Sequence, residues 1–258
     1  MPEIRRILVA LKPAFAQSRM PELAVKIASE IRAEVEALLA EDAALKMAAD
    51  LPFAQEILTP TGARRSLTRE ALDLDFRIAG RKLELRFRQL AAPSGLRCSF
   101  RSVGGDPIAQ AITAATEGDL LMLDLPRGAA FGLATMRWIA QRAGRPVVFL
   151  GDLASPQGGV AVFDGEAELQ RDGLAIIGVL SRACPGALTI YRQPSAGEDR
   201  SGPGDLLRIP AADGPPLYAR MSIAAAGVPM ITDLRSQTIL ILPERRTSGS
   251  DSTDPEFP

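Results

Sequence analysis

The sequence contains no histidine. Without it, neither a Ser-His-Asp nor a Cys-His nucleophile pair can be assembled, and this chain alone cannot build a histidine-containing zinc or haem site. Cysteine is nearly as scarce, Cys98 and Cys184 being the two thiols among 258 residues. Their separation fits no metal-ligand or redox spacing, so two free, mostly buried thiols in a reducing compartment are expected. An excess of charge of one sign is also missing: 30 Lys and Arg stand against 31 Asp and Glu, for a formal net charge of -1 and a pI of about 5.7. That balance offers no general attraction to nucleic acid or to an anionic bilayer, and neither is expected as a partner. No uncharged apolar run approaches the roughly 18 to 20 residues that a membrane-spanning helix needs. The opening run 7–11 follows two arginines but stops at Lys12-Pro13 without a small-residue cleavage site, so it reads as a buried strand. A soluble, cytoplasmic protein is the expectation.

What the chain does contain is ordinary globular material, 47% hydrophobic and 24% charged, enough to bury a substantial core. Its length exceeds the usual single domain and falls short of three, which favours two modest ones. Continuous apolar runs at 7–11, 119–123 and 146–150 have the pattern of parallel strands covered on both faces. Residues 35–40 and 98–103 supply two more strands. Between them, Pro21 opens a helix with Ala24, Ile27, Ala28 and Ile31 at helical spacing, and Asp106-Pro107 caps and starts another carrying Ile108, Ala111, Ile112 and Ala115. A helix over 135–143 precedes the fifth strand.

Residues 66–90 predict a helix with two apolar stripes. Leu67, Ala71, Leu74, Ile78 and Leu85 form one, and Leu72, Phe76, Ala79, Leu83, Phe87 and Leu90 form the other, on nearly opposite sides. One stripe can pack on the sheet; the second calls for another partner, whether the other half of the chain, a protein partner or a second subunit. Gly80 stands in the middle as a candidate bend. Basic residues from Arg64 to Arg88 line the flanks among Glu70, Asp73, Asp75 and Glu84, and read as a solvated face. The carboxylate pairs Asp73/Asp75 and Glu166/Glu168 read the same way, and no catalytic residue or metal ligand is assigned.

After a Pro- and Gly-rich linker at 155–159 the theme returns: strand 160–165, helix 168–184, strand 187–191, strand 206–209, helix 217–226 and strand 238–242. The expected organisation is α/β, with two doubly wound parallel-sheet modules in tandem at 1–152 and 158–246, the second shortened. A disordered tail is expected at 247–258.

Four segments in this order resemble the universal stress protein family, in its two-module form: Arg6-Ile7-Leu8-Val9-Ala10-Leu11, Val103-Gly104-Gly105-Asp106-Pro107-Ile108, Gly118-Asp119-Leu120-Leu121-Met122-Leu123 and Arg145-Pro146-Val147-Val148-Phe149-Leu150. The likeness covers about residues 4–151 and is carried more thinly by 160–165 and 238–242. It implies a parallel five-stranded sheet of the adenine-nucleotide-hydrolase-like kind and, in many members, ATP or another adenine nucleotide held between the ends of strands one and four. ATP-binding members place an acidic residue after strand one and, after strand four, a glycine-rich segment ending in Gly-Ser or Gly-Thr.

Here Leu11-Lys12-Pro13 occupies the first position, and Arg127-Gly128-Ala129-Ala130-Phe131-Gly132 follows strand four without that final step. In the second half Asp164-Gly165 supplies the acidic residue, while Pro243-Glu244-Arg245-Arg246 replaces the glycine loop. The site residues that the resemblance implies are Leu11, Lys12, Gly104, Gly128, Gly132, Asp164 and Gly165. Two glycines three residues apart also suit any tight loop, and Lys12 also suits a strand end reaching solvent. A composite site joining Asp164 to the Gly128 loop is conceivable. Preserved strands beside eroded loops favour a non-enzymatic regulatory protein that binds a partner or a small ligand. An ATP- or AMP-binding module with weak or no hydrolysis is the alternative.

Overall fold

The computed structural model describes residues 4–11, 19–41, 43–58, 62–124, 133–150, 160–164, 171–183, 188–192, 206–209, 217–223 and 238–242. Five of its strands are mutually parallel: β1 (Arg6–Leu11), β2 (Glu34–Glu41), β5 (Cys98–Gly104), β6 (Asp119–Asp124) and β7 (Val147–Leu150). They lie side by side in the order β7-β6-β1-β2-β5, every pairing parallel. β1 and β6 are continuous apolar runs because both of their faces are covered. Ile7, Val9 and Leu11 face a layer of α1 (Met20–Ile31), α3 (Arg69–Ala91) and α6 (Arg171–Ala183), while Leu8 and Ala10 face α4 (Pro107–Ala114) and α5 (Leu133–Ala143).

The remaining strands of this sheet are β8 (Val160–Asp164), β9 (Leu188–Arg192), β10 (Leu206–Ile209), β11 (Leu217–Ile223) and β12 (Thr238–Leu242). They extend the same sheet in the order β10-β11-β9-β8-β12, and β12 joins β7 antiparallel. β12, β8, β9 and β11 are mutually parallel, and β10 is antiparallel to β11. The helical layer crosses the junction as well, with Ile176, Ile177 and Leu180 of α6 in one core with α1, and with Arg182 paired to Glu30. A single ten-stranded sheet therefore runs through the expected linker position; the linker residues themselves, 155–159, and the expected tail, 247–258, lie outside the described residues.

Two sequence readings change. Residues 217–223 form a strand, not the start of a helix: Leu217, Ala219, Met221 and Ile223 alternate with Tyr218, Arg220 and Ser222, a period of two that the alanines at 224–226 obscure. Between β2 and α3 the chain also forms a short helix, α2 (Ala43–Ala49), and an antiparallel hairpin of β3 (Gln55–Leu58) with β4 (Ala63–Ser66). Neither was anticipated.

α3 starts where Thr68 caps it, its hydroxyl accepting from the Ala71 N–H at 3.2 Å. Leu72, Phe76, Leu83 and Phe87 are the stripe that packs on the sheet, whereas Leu74, Ile78 and Leu85 are exposed. The helix passes uninterrupted through Gly80, where an added Cβ would sit 3.2 Å from Leu39 Cδ2. Its missing side chain lets α3 approach β2 closely. Cys98 is a free, half-buried thiol whose pKa burial pushes up, as for an inert structural cysteine; Cys184 lies outside the described residues.

Candidate functional site

The order β7-β6-β1-β2-β5 reverses its winding between β1 and β6: the helix after β1 lies on one face of the sheet and the helix after β6 on the other. The strand ends diverge at such a point and leave a crevice at the carboxyl edge. Leu11, Glu41, Gly104, Asp124 and Leu150 close the five strands on that edge.

Leu11 lies in register with Leu39, and its side chain is fully buried in the core, so it can offer a ligand only backbone. Gly104 pairs with Glu41 at the end of β5, and a Cβ there would meet nothing within 4 Å. Its neighbour Gly105 is the position that needs glycine, with φ of 117° and its N–H donating to the Glu41 carbonyl at 3.0 Å. Gly105→Ala is expected to lower stability by about 1–3 kcal/mol. Gly104→Ala should stay within about 0.5 kcal/mol of the parent in the same chemical denaturation series. Lys12, Gly128, Gly132 and Gly165 lie outside the described residues.

Asp106 accepts from the Ala109 N–H at 2.9 Å and so caps α4. A carboxylate of the chain itself thus already occupies the end of that helix where a phosphate would be favoured. Glu41 and Asp124 are the other carboxylates on this edge, each ending a strand. Carboxylates in such places accept hydrogen bonds from hydroxyl or amino groups, the donors of a nucleoside, better than they tolerate bare phosphate.

Glu41 anchors a cluster that sequence reading missed. Its carboxylate accepts from Ser102 Oγ at 2.7 Å and from Lys46 Nζ at 2.6 Å; Lys46 also meets Asp73 at 3.0 Å and stands 5.6 Å from the Phe76 ring centre. These contacts fasten α2, which buries no residue of its own, to β2, β5 and α3. The Lys46 bond, then the Ser102 bond, holds the Glu41 carboxyl below its ordinary 4.5, and the Glu41 and Asp73 bonds hold Lys46 above its ordinary 10.5. A depressed carboxyl pKa stabilises the fold fully above about pH 4.5, a contribution lost as pH falls through the folded-state value. A raised lysine pKa stabilises it below about pH 10.5, and that is lost as pH rises through the folded-state value. Lys46→Met is expected to cost about 1 kcal/mol near neutral pH and to weaken the loss of stability on acidification, read by urea denaturation across the acid range.

At the opposite, amino edge stands the buried charge of the first five strands. Asp119, 3% exposed, receives Arg6 Nε at 2.9 Å and Nη2 at 2.5 Å, and also the Thr116 N–H at 2.6 Å. Arg6 Nη1 reaches Glu36 at 2.5 Å, and Glu36 also pairs with Arg101 at 3.0 Å. The charged ends of two of the segments that carry the family likeness, Arg6 and Asp119, are thus a structural clamp tying the starts of β1 and β6. The pattern that exposes it is one basic and one acidic residue, each immediately before a continuous apolar run.

Asp164 closes β8, in register with Leu242 of β12. Because β12 runs antiparallel to β7, the carboxyl end of β8 points to the amino edge of β6 and β1. Asp164 and the end of β6 therefore lie on opposite edges of the sheet. The other half of the composite site, the Gly128 loop, lies outside the described residues.

No protein-family profile matches the sequence, and no curated protein matches it. Solved structures are similar to it. A universal stress protein from Archaeoglobus fulgidus is 11% identical, with a TM-score of 0.42, over 76% of this chain and 68% of that one. A functionally unknown protein from Pseudomonas aeruginosa is 16% identical, with a TM-score of 0.37, over 74% of this chain and 61% of that one.

Among the described residues no three Cys, Asp or Glu side chains stand together as a metal site, and no helix is long and apolar enough to cross a membrane. At the β1/β6 edge the described strand-end carboxylates are Asp124 of β6 and, one strand further, Glu41 of β2.

Proposed function

We propose that the protein is a non-catalytic regulatory protein of universal-stress-protein type, two modules in tandem, that binds a partner or a small ligand at the β1/β6 edge. The observation that carries this reading is the reversal of winding between β1 and β6 beside a self-capped α4. The order β12-β8-β9-β11 supports a second, shortened module, since it repeats β6-β1-β2-β5 strand for strand. The complete lack of histidine, with loops that depart from the phosphate-gripping pattern, argues for binding without turnover.

A thermal-shift series with ATP, ADP, AMP and cyclic nucleotides tests the reading. A small ligand present at 100 times its Kd raises stability by about 2.7 kcal/mol. Silence from every nucleotide assigns the function to a partner protein. The second reading, an ATP- or AMP-binding module with weak or no hydrolysis, is favoured by the position of the 125–132 segment directly after β6. It predicts that Gly128→Leu abolishes nucleotide affinity while the circular dichroism spectrum is unchanged; unaltered affinity would remove it.

A further inference from the structure

The outward face of α3 has the spacing of a coiled-coil seam. Ala71, Leu74, Ile78, Arg81, Leu85 and Arg88 follow one another at intervals of three and four residues, the pattern that faces a second helix in a left-handed pair. Leu74, Ile78 and Leu85 are 50%, 45% and 57% exposed, on the side of the helix opposite the buried Leu72, Phe76, Leu83 and Phe87. An apolar stripe of this kind on an otherwise packed helix marks an interaction surface.

The charges beside the seam identify the occupant. One flank carries Glu70, Arg77 and Glu84, the other Asp75, Lys82 and Gln89. A parallel pair of α3 helices would set Glu70 against Asp75 and Arg77 against Lys82, which repel. An antiparallel pair with Leu74 opposite Ile78 would set Arg77 against Arg77, Asp75 against Asp75 and Glu70 against Glu84, which also repel. Shifted one layer, so that Leu74 faces Leu85 and Ile78 faces Arg81, the antiparallel pair sets Arg77 against Glu84 and Asp75 against Lys82, each twice by symmetry. Every flanking charge pair is then attractive. Arg88 comes opposite Ala71, with Glu70 beside it, and the long Arg81 stem can cover Ile78 while its charge stays in water.

We propose that α3 is a homodimerisation helix, pairing antiparallel with α3 of a second copy through Leu74, Ile78 and Leu85 in the register fixed by Arg77–Glu84 and Asp75–Lys82. The seam points outward from α3, whose first turns reach the carboxyl edge through Asp73 and Lys46, and the proposal does not depend on the ligand read there. The intramolecular contacts of these charges are Arg65 on Asp75 at 2.8 Å, Arg88 on Glu84 at 2.7 Å and Arg77 Nε donating to the Asp73 carbonyl at 3.2 Å, contacts at the solvent-facing side of α3 of little net worth that can exchange for intermolecular ones.

The experiment is sedimentation velocity on the full chain across a concentration series. The parent is expected to dimerise. Arg77→Glu and Glu84→Arg are each expected to weaken self-association by about tenfold or more, since each turns two attractions into repulsions. Mixed in equal amounts, those two variants are expected to recover the dimer, because the heterodimer restores both attractions. Ile78→Ser, which removes apolar surface without changing charge, is expected to dissociate the dimer while retaining the parent's circular dichroism. A parent that stays monomeric, a dimer indifferent to all three substitutions, or a mixture that fails to recover association would each overturn the proposal. So would association with acidic vesicles by a chain that does not self-associate.

Discussion

Replacing Asp119 by alanine is expected to cost about 3 kcal/mol of stability, or roughly 6–12 °C in melting temperature for a chain of this size. The carboxylate is nearly inaccessible and holds both Nε and Nη2 of Arg6 as well as the Thr116 N–H. Its removal leaves a partly buried guanidinium with one carboxylate, Glu36, and leaves a backbone donor without its acceptor. The loss is therefore larger than for an ordinary surface pair, whose worth is about 0–1 kcal/mol. Arg97→Ala provides the contrast: its bond to Glu34 is exposed on both sides, and urea denaturation should separate it from Asp119→Ala by about 2 kcal/mol or more.

Phe87→Ala is expected to cost about 3–5 kcal/mol, because the ring is fully buried where α3 meets the sheet and cannot be replaced by collapse of so dense a layer. Leu85→Ala, two residues earlier on the same helix, should change the stability of the dissociated chain by no more than about 0.5 kcal/mol. The pair is read by denaturation at a concentration below that of self-association. Equal effects at the two positions would mean that α3 is rotated from the orientation described.

These two helix positions also show how far the sequence could be read. Both apolar stripes of α3 were visible in the spacing of its leucines and phenylalanines, but they were nearly equal in apolar content. Only the sheet surface, with Gly80 permitting close contact to Leu39, selects Phe76, Leu83 and Phe87 as the inner face. The runs at β1, β6 and β7 were legible because burial on both faces leaves an unbroken apolar signature. The α2 and β3–β4 segment was illegible for the opposite reason: Leu45, Met47, Leu51, Phe53 and Ile57 are all exposed, so no core-facing period marks the elements.

At the candidate site the sequence located the edge through Leu11 and Gly104 but not its chemistry. Glu41, Lys46, Asp73 and Ser102 meet only after β2, α2, α3 and β5 are assembled, and nothing in their spacing announces it. The separation of Asp164 from that edge depends on one tertiary choice, the antiparallel pairing of β12 with β7, which reverses the direction of β8 relative to β1. A parallel join would have brought both acidic strand ends to one side.

Binding without turnover is tested most directly by following ATP incubated with the purified chain and magnesium by phosphorus NMR. The phosphate resonances are predicted to show no conversion to ADP and inorganic phosphate beyond that in buffer. Conversion that scales with protein concentration and disappears in Asp124→Asn would contradict it.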